Sequence, residues 1–398
     1  MRISTAGIHN AALSQMMAKS AALAKTQNQI ASGSRILSPA DDPIGAAQAL
    51  ELDRALSESQ QHGKNTTAAT NRLSFEEQTL TDATNLMQRI RDLTVEANNP
   101  TLDDTARKSI QSEIQVRYSD LVDLANRKDT NGEYLFSGYS TLTQPFVVNG
   151  NTVTYQGDDG TRVLQTGPSQ KVTDGHPGSQ VFMNIKQGNG TFVTGANGAN
   201  TGSATIDIGA VTNAAAWGAG GSFTIHFTSP TAYEVLDSTN TQVTTGTYSQ
   251  SGMIAFNGIE VQVTGTVATD DKFSISPAGT QDMFSAIGQL VTTLGRPSDS
   301  NAQNAQYATE MGQVLQQIDN SMERIADVRS EVGARLSVLQ DSESNQADRQ
   351  LDLKTQLSQI RDLDYGDAIT QLNIQLAGLQ AAQQSYAKIS NLNLFNYL

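Results

Sequence analysis

Between Met311 and Leu339 the apolar positions Met311, Leu315, Ile318, Met322, Ile325, Val328, Val332, Leu336 and Leu339 recur at spacings of three and four. A repeat averaging 3.5 residues is a coiled-coil seam, and it must be buried against other helices. Candidate partners lie far upstream: Leu73, Leu80, Ala83, Met87, Ile90, Leu93 and Ala97 form one stripe, and Ile110, Ile114, Leu121 and Leu124 another beyond Asn99-Pro100. Two stripes near one end and one near the other can cover each other only if the chain turns back on itself. Whatever lies between them is then an insertion at the far end of a helical rod. An unbroken helix from Pro43 to Asn99 would run ~85 Å at ~1.5 Å per residue, which predicts an elongated rod.

The intervening segment differs in kind. Of the 32 glycines, 20 fall between residues 141 and 280, but only 13 of the 66 charged side chains do. β-favouring runs such as "FVVNGNTVTYQGDDGTRVLQT" (146–166), "GSFTIHFTS" (221–229), "TAYEVLDS" (231–238) and "MIAFNGIEVQVTGTV" (253–267) alternate with turn signals. Asn149-Gly150 and the quartet 157–160 read as hairpin turns. The expected class is α+β multidomain: a coiled-coil rod built by the N- and C-terminal flanks, with an inserted antiparallel β outer domain. The expected boundaries are 1–42 with 365–398 for a terminal helical assembly domain, 43–140 with 281–364 for the rod, and 141–280 for the insert, itself divisible near 188–202.

Both ends are poor in charge. The first 33 residues carry only Arg2, Lys19 and Lys25, with Leu13, Met16, Leu23 and Ile30 at heptad spacing. From Gly366 onward only Asp367 and Lys388 are charged, with Ile369, Leu372, Leu376, Leu379 and Tyr386 in a stripe and Leu394, Phe395 and Leu398 in an apolar ending. Thin helices of this composition leave outward faces that water covers badly, so contacts between copies of the chain are the expected completion. Between the N-terminal end and the rod stands "SGSRILSPADDPIGAA" (32–47). Gly33 and Pro39 should end the first helix, and Asp42 followed by Pro43 fits an N-cap and a first helical position. On the return path "QIRDLDYGDAITQL" (359–372) slips its heptad phase near Gly366, marking a second joint that is expected to lie beside the first.

Chemistry is hard to find. The formal charge of −14 disfavours nucleic acid and anionic membranes. With no cysteine, disulfides and thiolate chemistry are excluded. His9, His62, His176 and His226 lack ligand spacing and read as isolated packing or surface residues. No catalytic, cofactor-binding or metal-binding residue is expected, and no cofactor. Asp158 and Asp159 are the carboxylates on which a secreted carbohydrate-active enzyme could be imagined, and a turn is the simpler reading. The first residues hold no apolar run of the kind a secretory signal needs, and nothing approaches a membrane span.

Several stretches resemble the bacterial flagellin superfamily, nearest its hook-filament junction branch: "MRIST", "QIASGSRILSPADDPIGAAQAL" (29–50), "NGEYLFSGY" (131–139), "QIRDLDYGDAITQL" and "SNLNLFNYL" (390–398). The resemblance covers both helical flanks and is looser over the insert. It implies a non-enzymatic structural subunit joining hook to filament, packed in a ring of identical copies through its terminal helices. Its neighbours would be another hook-associated protein on the hook side and flagellin on the filament side. It further implies unfolded export through the flagellar type III apparatus to the extracellular flagellum, and a cytoplasmic export chaperone bound through about 365–398. A flagellin filament subunit is the alternative within the same superfamily.

Overall fold

The computed structural model describes residues 5–99, 101–150, 152–218, 220–296 and 300–391. In chain order, helices α1 (Thr5–Ser32), α2 (Pro43–Ala97) and α3 (Asp104–Ala125) lead into two antiparallel hairpins. These are β1 (Phe146–Asn149) with β2 (Thr152–Tyr155), and β3 (Val163–Gln165) with β4 (Lys171–Thr173). The short helix α4 (Gly178–Phe182) precedes β5 (Ile185–Lys186), β6 (Phe192–Ala196), β7 (Thr205–Ile206) and β8 (Ala210–Val211). After the single turn α5 (Ala214–Trp217) come β9 (Phe223–Ser229), β10 (Ala232–Asp237), β11 (Gln242–Thr247), β12 (Met253–Phe256), β13 (Ile259–Thr264), β14 (Lys272–Pro277) and β15 (Thr280–Gln281). Helices α6 (Met283–Leu294), α7 (Asn301–Arg361) and α8 (Tyr365–Asn391) follow.

These elements form two compact units, one of residues up to Asn65 with those from Asp341 on, the other Thr66–Gln340. The division falls inside α2 and α7, whereas sequence composition suggested boundaries at the joints near 42 and 365.

The larger unit has two cores. In the first, Leu73, Leu80, Ala83, Met87, Ile90, Leu93 and Ala97 of α2 are buried with Ile110, Ile114 and Leu121 of α3. From α7 come Met311, Ile318, Ile325, Val328, Val332 and Leu339. The seam takes Val314 as its fully buried member where the heptad count points to Leu315; both keep spacings of three and four from Met311 and Ile318, so periodicity alone does not choose between them. Phe136, Phe146, Phe182 and Phe284 join this core, with Phe136 and Phe182 edge to face at 5.1 Å and Phe182 and Phe284 stacked at 5.9 Å. Residues 146–185, grouped with the insert by composition, are therefore part of the helical core.

The second core belongs to the sheets alone. A five-stranded antiparallel sheet in the order β11-β10-β9-β14-β6 and a sheet β12-β13-β7, with β8 also on β13, enclose Phe192, Ile225, Phe227, Val235, Ile254, Ile259, Val261, Val263, Phe273 and Ile275. Alternation along β13 (Ile259, Val261 and Val263 buried) is what places these residues inward. The two ends of the insert meet: Phe192 pairs with Pro277, Ala278 N–H donates to Thr191 O at 2.9 Å, and β5 pairs with β15.

Asn149-Gly150 closes the β1–β2 hairpin, with Gly150 at φ +64°. The quartet 157–160 is not a hairpin turn, because the strands it joins each pair elsewhere. Asp158 instead gathers the loop after Phe136. It accepts from Tyr139 N–H (2.8 Å), Ser140 N–H (3.0 Å), Ser140 Oγ–H (2.7 Å) and Gly160 N–H (2.8 Å). Those donors, Tyr139 N–H foremost, hold its carboxyl below the usual carboxylate range.

Candidate assembly interface

In the smaller unit α1 and α8 run antiparallel, with the His9 and Tyr386 rings edge to face at 5.7 Å near one end and the joints at the other. Small and polar groups make the close approach. Thr26 is buried and its Oγ1–H donates to Gln375 Oε1 at 3.1 Å; Ala368 is buried; Lys19 Nζ lies 3.0 Å from where a side chain on Gly378 would begin. Around these contacts Met16, Leu23 and Ile30 on α1 and Leu372, Leu379 and Tyr386 on α8 are only half-covered. Leu13 (43 % exposed), Ile369 (48 %) and Leu376 (37 %) face outward. Leu394, Phe395 and Leu398 lie outside the described residues.

Seven further exposed large side chains of this unit lie outside the heptad stripes: Met17 (63 %), Ile374 (66 %), Leu37, Ile44, Leu50, Leu351 and Tyr365. Met17 and Ile374 stand one and two residues from stripe members, so a wider helical face, rather than a single seam, would have found them.

The joints sit side by side within this unit. Gly33 ends α1 at φ +68°, where a Cβ would crowd Tyr365 Oη, and its carbonyl accepts from Leu363 N–H at 3.0 Å. Ser34 bridges to Asp362, and Arg35 N–H donates to Arg361 O at 2.8 Å. Pro39 lies in the turn closed by Asp41 N–H on Ser38 O. Asp41 takes Leu37 and Ser38 N–H and an ion pair from Lys25 Nζ at 2.7 Å, while Asp42 Oδ1 accepts from Gly45 N–H at 2.9 Å as α2 starts at Pro43. The Lys25 hydrogen bond on Asp41 and the Gly45 N–H on Asp42 lower both carboxyl pKa values. The break on the return path lies at Asp362–Asp364 rather than at Gly366. Asp364 Oδ1 accepts from Gly366 N–H (2.9 Å) and Asp367 N–H (3.2 Å), which puts Gly366 in the first turn of α8.

The coil seam of α2 and α7 is polar in this unit. Ser59 and His62 on α2 and Ser342 and Gln346 on α7 are buried, and Gln350 Nε2–H donates to Ser59 O at 3.3 Å. In the larger unit two histidines read as isolated are held by carboxylates: His176 between Glu76 (2.7 Å) and Glu331 (3.2 Å), His226 between Glu234 (2.9 Å) and Asp270 (3.1 Å). Their partners come from other elements, which spacing along one segment cannot reveal. Among the described residues no group of three histidines and carboxylates is arranged to hold a metal ion, and no helix is long and apolar enough to cross a membrane.

Paired terminal helices with uncovered apolar faces, a returning helical pair and a sheet insert together define a flagellin-type subunit. Residues 3–141 match the bacterial flagellin N-terminal helical region and residues 315–398 the C-terminal one. The chain is similar to the FlgL of Xanthomonas campestris, whose crystal structure it matches at 34% identity and a TM-score of 0.74 over 77% of this chain and 99% of that one. The flagellar junction protein FlgL from Legionella pneumophila matches at 32% identity and a TM-score of 0.72, over 79% of this chain and 100% of that one. Flagellar hook-associated protein 3 of Salmonella typhimurium is 35% identical over 185 residues, 46% of this chain and 58% of that protein. The alignment thus spans little more than half the length of that curated relative. The chain belongs to the flagellin family, in the group of the hook-associated protein 3 (FlgL) proteins.

Proposed function

We propose that this chain is a structural, non-enzymatic subunit of the bacterial flagellum that joins hook to filament. Copies form a ring through α1 and α8, with another hook-associated protein on one side and flagellin on the other. The subunit leaves the cell unfolded through the flagellar type III apparatus, held beforehand by a cytoplasmic chaperone at about residues 365–398, and works outside the cell. The terminal domain is residues 1–42 with 365–398. Within it Leu13, Met16, Leu23, Ile30, Ile369, Leu372, Leu376, Leu379 and Tyr386 contact neighbouring copies, as do Leu394, Phe395 and Leu398 beyond the described part.

One observation carries this reading. Among the described residues of the smaller unit the only buried hydrophobic residues are two alanines, Ala49 and Ala368, while its large apolar side chains are half-covered or exposed. Such faces are stable only when something covers them. The test is a gene lacking codons 366–398 in place of the intact one in the source bacterium. The truncated protein should keep its helical core and the cells should lose their filaments. Truncated protein built into flagella would refute the assembly role. Counting copies separates the family readings, since a junction subunit occupies one thin zone and a flagellin runs the length of the filament.

A further inference from the structure

The sequence holds five Asn-Gly pairs, at 131, 149, 189, 197 and 257. In such a pair the glycine nitrogen can attack the asparagine Cγ, but only if its N–H is free and the carboxamide is within reach. Four of the pairs are restrained. Gly132 N–H donates to Asp129 O and Gly190 N–H to Gln187 O, both at 3.0 Å. The Asn189 carboxamide is also engaged, accepting from Phe192 N–H at 2.9 Å and donating to Gly209 O at 3.2 Å. Asn149 is fixed in β1 opposite Thr152. Asn257, at φ +45°, sits in the tight β12–β13 turn, where Gly258 abuts the Asn213 carbonyl.

Asn197 differs. Residues 197–199 are exposed at the end of β6, outside any tight hairpin turn, and among the described residues Gly198 N–H has no hydrogen-bond acceptor, as is also so for Gly150 and Gly258 within their hairpin turns. Asn197 Oδ1 accepts from Ala199 N–H at 2.9 Å, which draws electron density from Cγ and steadies the oxyanion formed by attack there. The surrounding chain is pinned: Asn197 N–H donates to Lys272 O at 3.0 Å, and Asn200 exchanges two bonds with Lys272, to its carbonyl at 2.9 Å and from its N–H at 2.8 Å.

We infer that Asn197-Gly198 is a self-modifying site in the β insert, which converts to aspartyl and isoaspartyl forms without an enzyme. Gly198 N loses its proton to solvent base and bonds to Asn197 Cγ; the Cγ–Nδ2 bond breaks and ammonia leaves with a proton from water. The resulting five-membered imide is opened by a second water at either carbonyl. The net change is water in and ammonia out. Each event adds one negative charge at the turn, and the isoaspartyl form inserts a methylene into the main chain where the β6–β14 ladder ends. A long-lived subunit therefore carries a record of its age on the insert.

The experiment is incubation of the purified full chain in mildly alkaline buffer, with peptide mapping for the amide-to-acid mass gain and for isoaspartate over time. Modification at Asn197 should run several-fold ahead of the other four sites, and in concentrated urea the five rates should converge. The Gly198→Ala variant should lose most of the reaction at 197. It should fold normally, since an added Cβ meets only Gln306 Nε2 at 3.8 Å. Equal rates at all five sites in the folded protein, a lead for Asn197 that persists in urea, or an unimpaired Gly198→Ala variant would each overturn the inference.

Discussion

The two units use the same kind of helix to opposite ends. In the larger one α2 and α7 bury long runs of apolar side chains, Leu73 to Ala97 and Met311 to Leu339, with Glu76, Thr79, Gln317 and Ser321 buried among them, and ion pairs such as Arg91–Asp319 (2.6 Å) and Arg329–Glu77 (2.7 Å) link the two helices. In the smaller one the buried side chains of the same two helices include Ser59, His62, Ser342 and Gln346, while Leu52, Leu56, Leu353 and Leu357 are only half-covered and Ile44, Leu50 and Leu351 stand on the outside. A helix pair that buries polar groups and leaves its large apolar groups half-covered or exposed gains little from hydrophobic burial. What the difference teaches is a division of labour: the larger unit contains its own source of stability, and the smaller one exposes the surface that association would bury.

Paired truncations break or sharpen that contrast most directly. Phe182→Ala, in the aromatic core of the larger unit, should cost about 3–5 kcal/mol in denaturant unfolding of the full chain. Ile374→Ala on α8 should change monomer stability by less than about 0.5 kcal/mol, as for exposed positions generally, and yet impair assembly in cells. Equal losses of stability for the two would mean that the smaller unit buries Ile374 within the monomer, and the contrast would fail.

A second comparison lies inside the larger unit, between the helical core and the sheet core. Ile225→Ala removes a fully buried side chain of the sheet core and should cost about 2–5 kcal/mol. The loss should be reported by Trp217, the single tryptophan, which packs on Phe192 and Phe223 at 5.6 and 5.9 Å. If the cores unfold separately, tryptophan fluorescence will change at lower denaturant while the far-ultraviolet helix signal keeps its wild-type midpoint. Coincident shifts of both signals would show one cooperative block.

How much of this was legible follows from the range of the forces involved. The seam from Met311 to Leu339 and its partner stripe on α2 were plain, because a helical period is written into neighbouring residues. So was the sheet insert, whose turns and β-branched runs are local. The place of Phe146 and Phe182 was not: strand signals around 146–166 say what the backbone does, while the company those rings keep, Phe136 and Phe284, is set by distant chain. The same limit hid the partners of His176 and the role of Asp158, which gathers donors from residues 139–140, almost twenty positions away. At the return joint Gly366 is the local helix-breaking signal, whereas Asp364, which accepts from Gly366 and Asp367 N–H, is the residue that starts α8. At the ends, heptad counting picked out residues by position. Exposure depends on which neighbours are small, and Thr26, Ala368 and Gly378 bring the helices close enough to leave the leucines half outside.

The smallest effect separates a capped joint from a pinned loop through acid. Asp42 and Asp158 both have lowered pKa values, the first chiefly from Gly45 N–H and the second chiefly from Tyr139 N–H. A carboxyl lowered in the folded state stabilises it above the unfolded pKa, near 4, and that contribution disappears as pH falls through the folded value. Stability should therefore be flat from neutral pH down to about 5 and decline below about 4 on this account. Asp158→Asn should flatten part of the decline and shift the amide resonances of Tyr139, Ser140 and Gly160, whereas Asp42→Asn, which retains a capping oxygen, should leave those resonances in place and perturb Gly45. If Asp158→Asn left the acid limb and the Tyr139 amide unchanged, the loop after Phe136 would be held by its packing alone, and the carboxylate would be incidental to the larger unit's self-sufficiency.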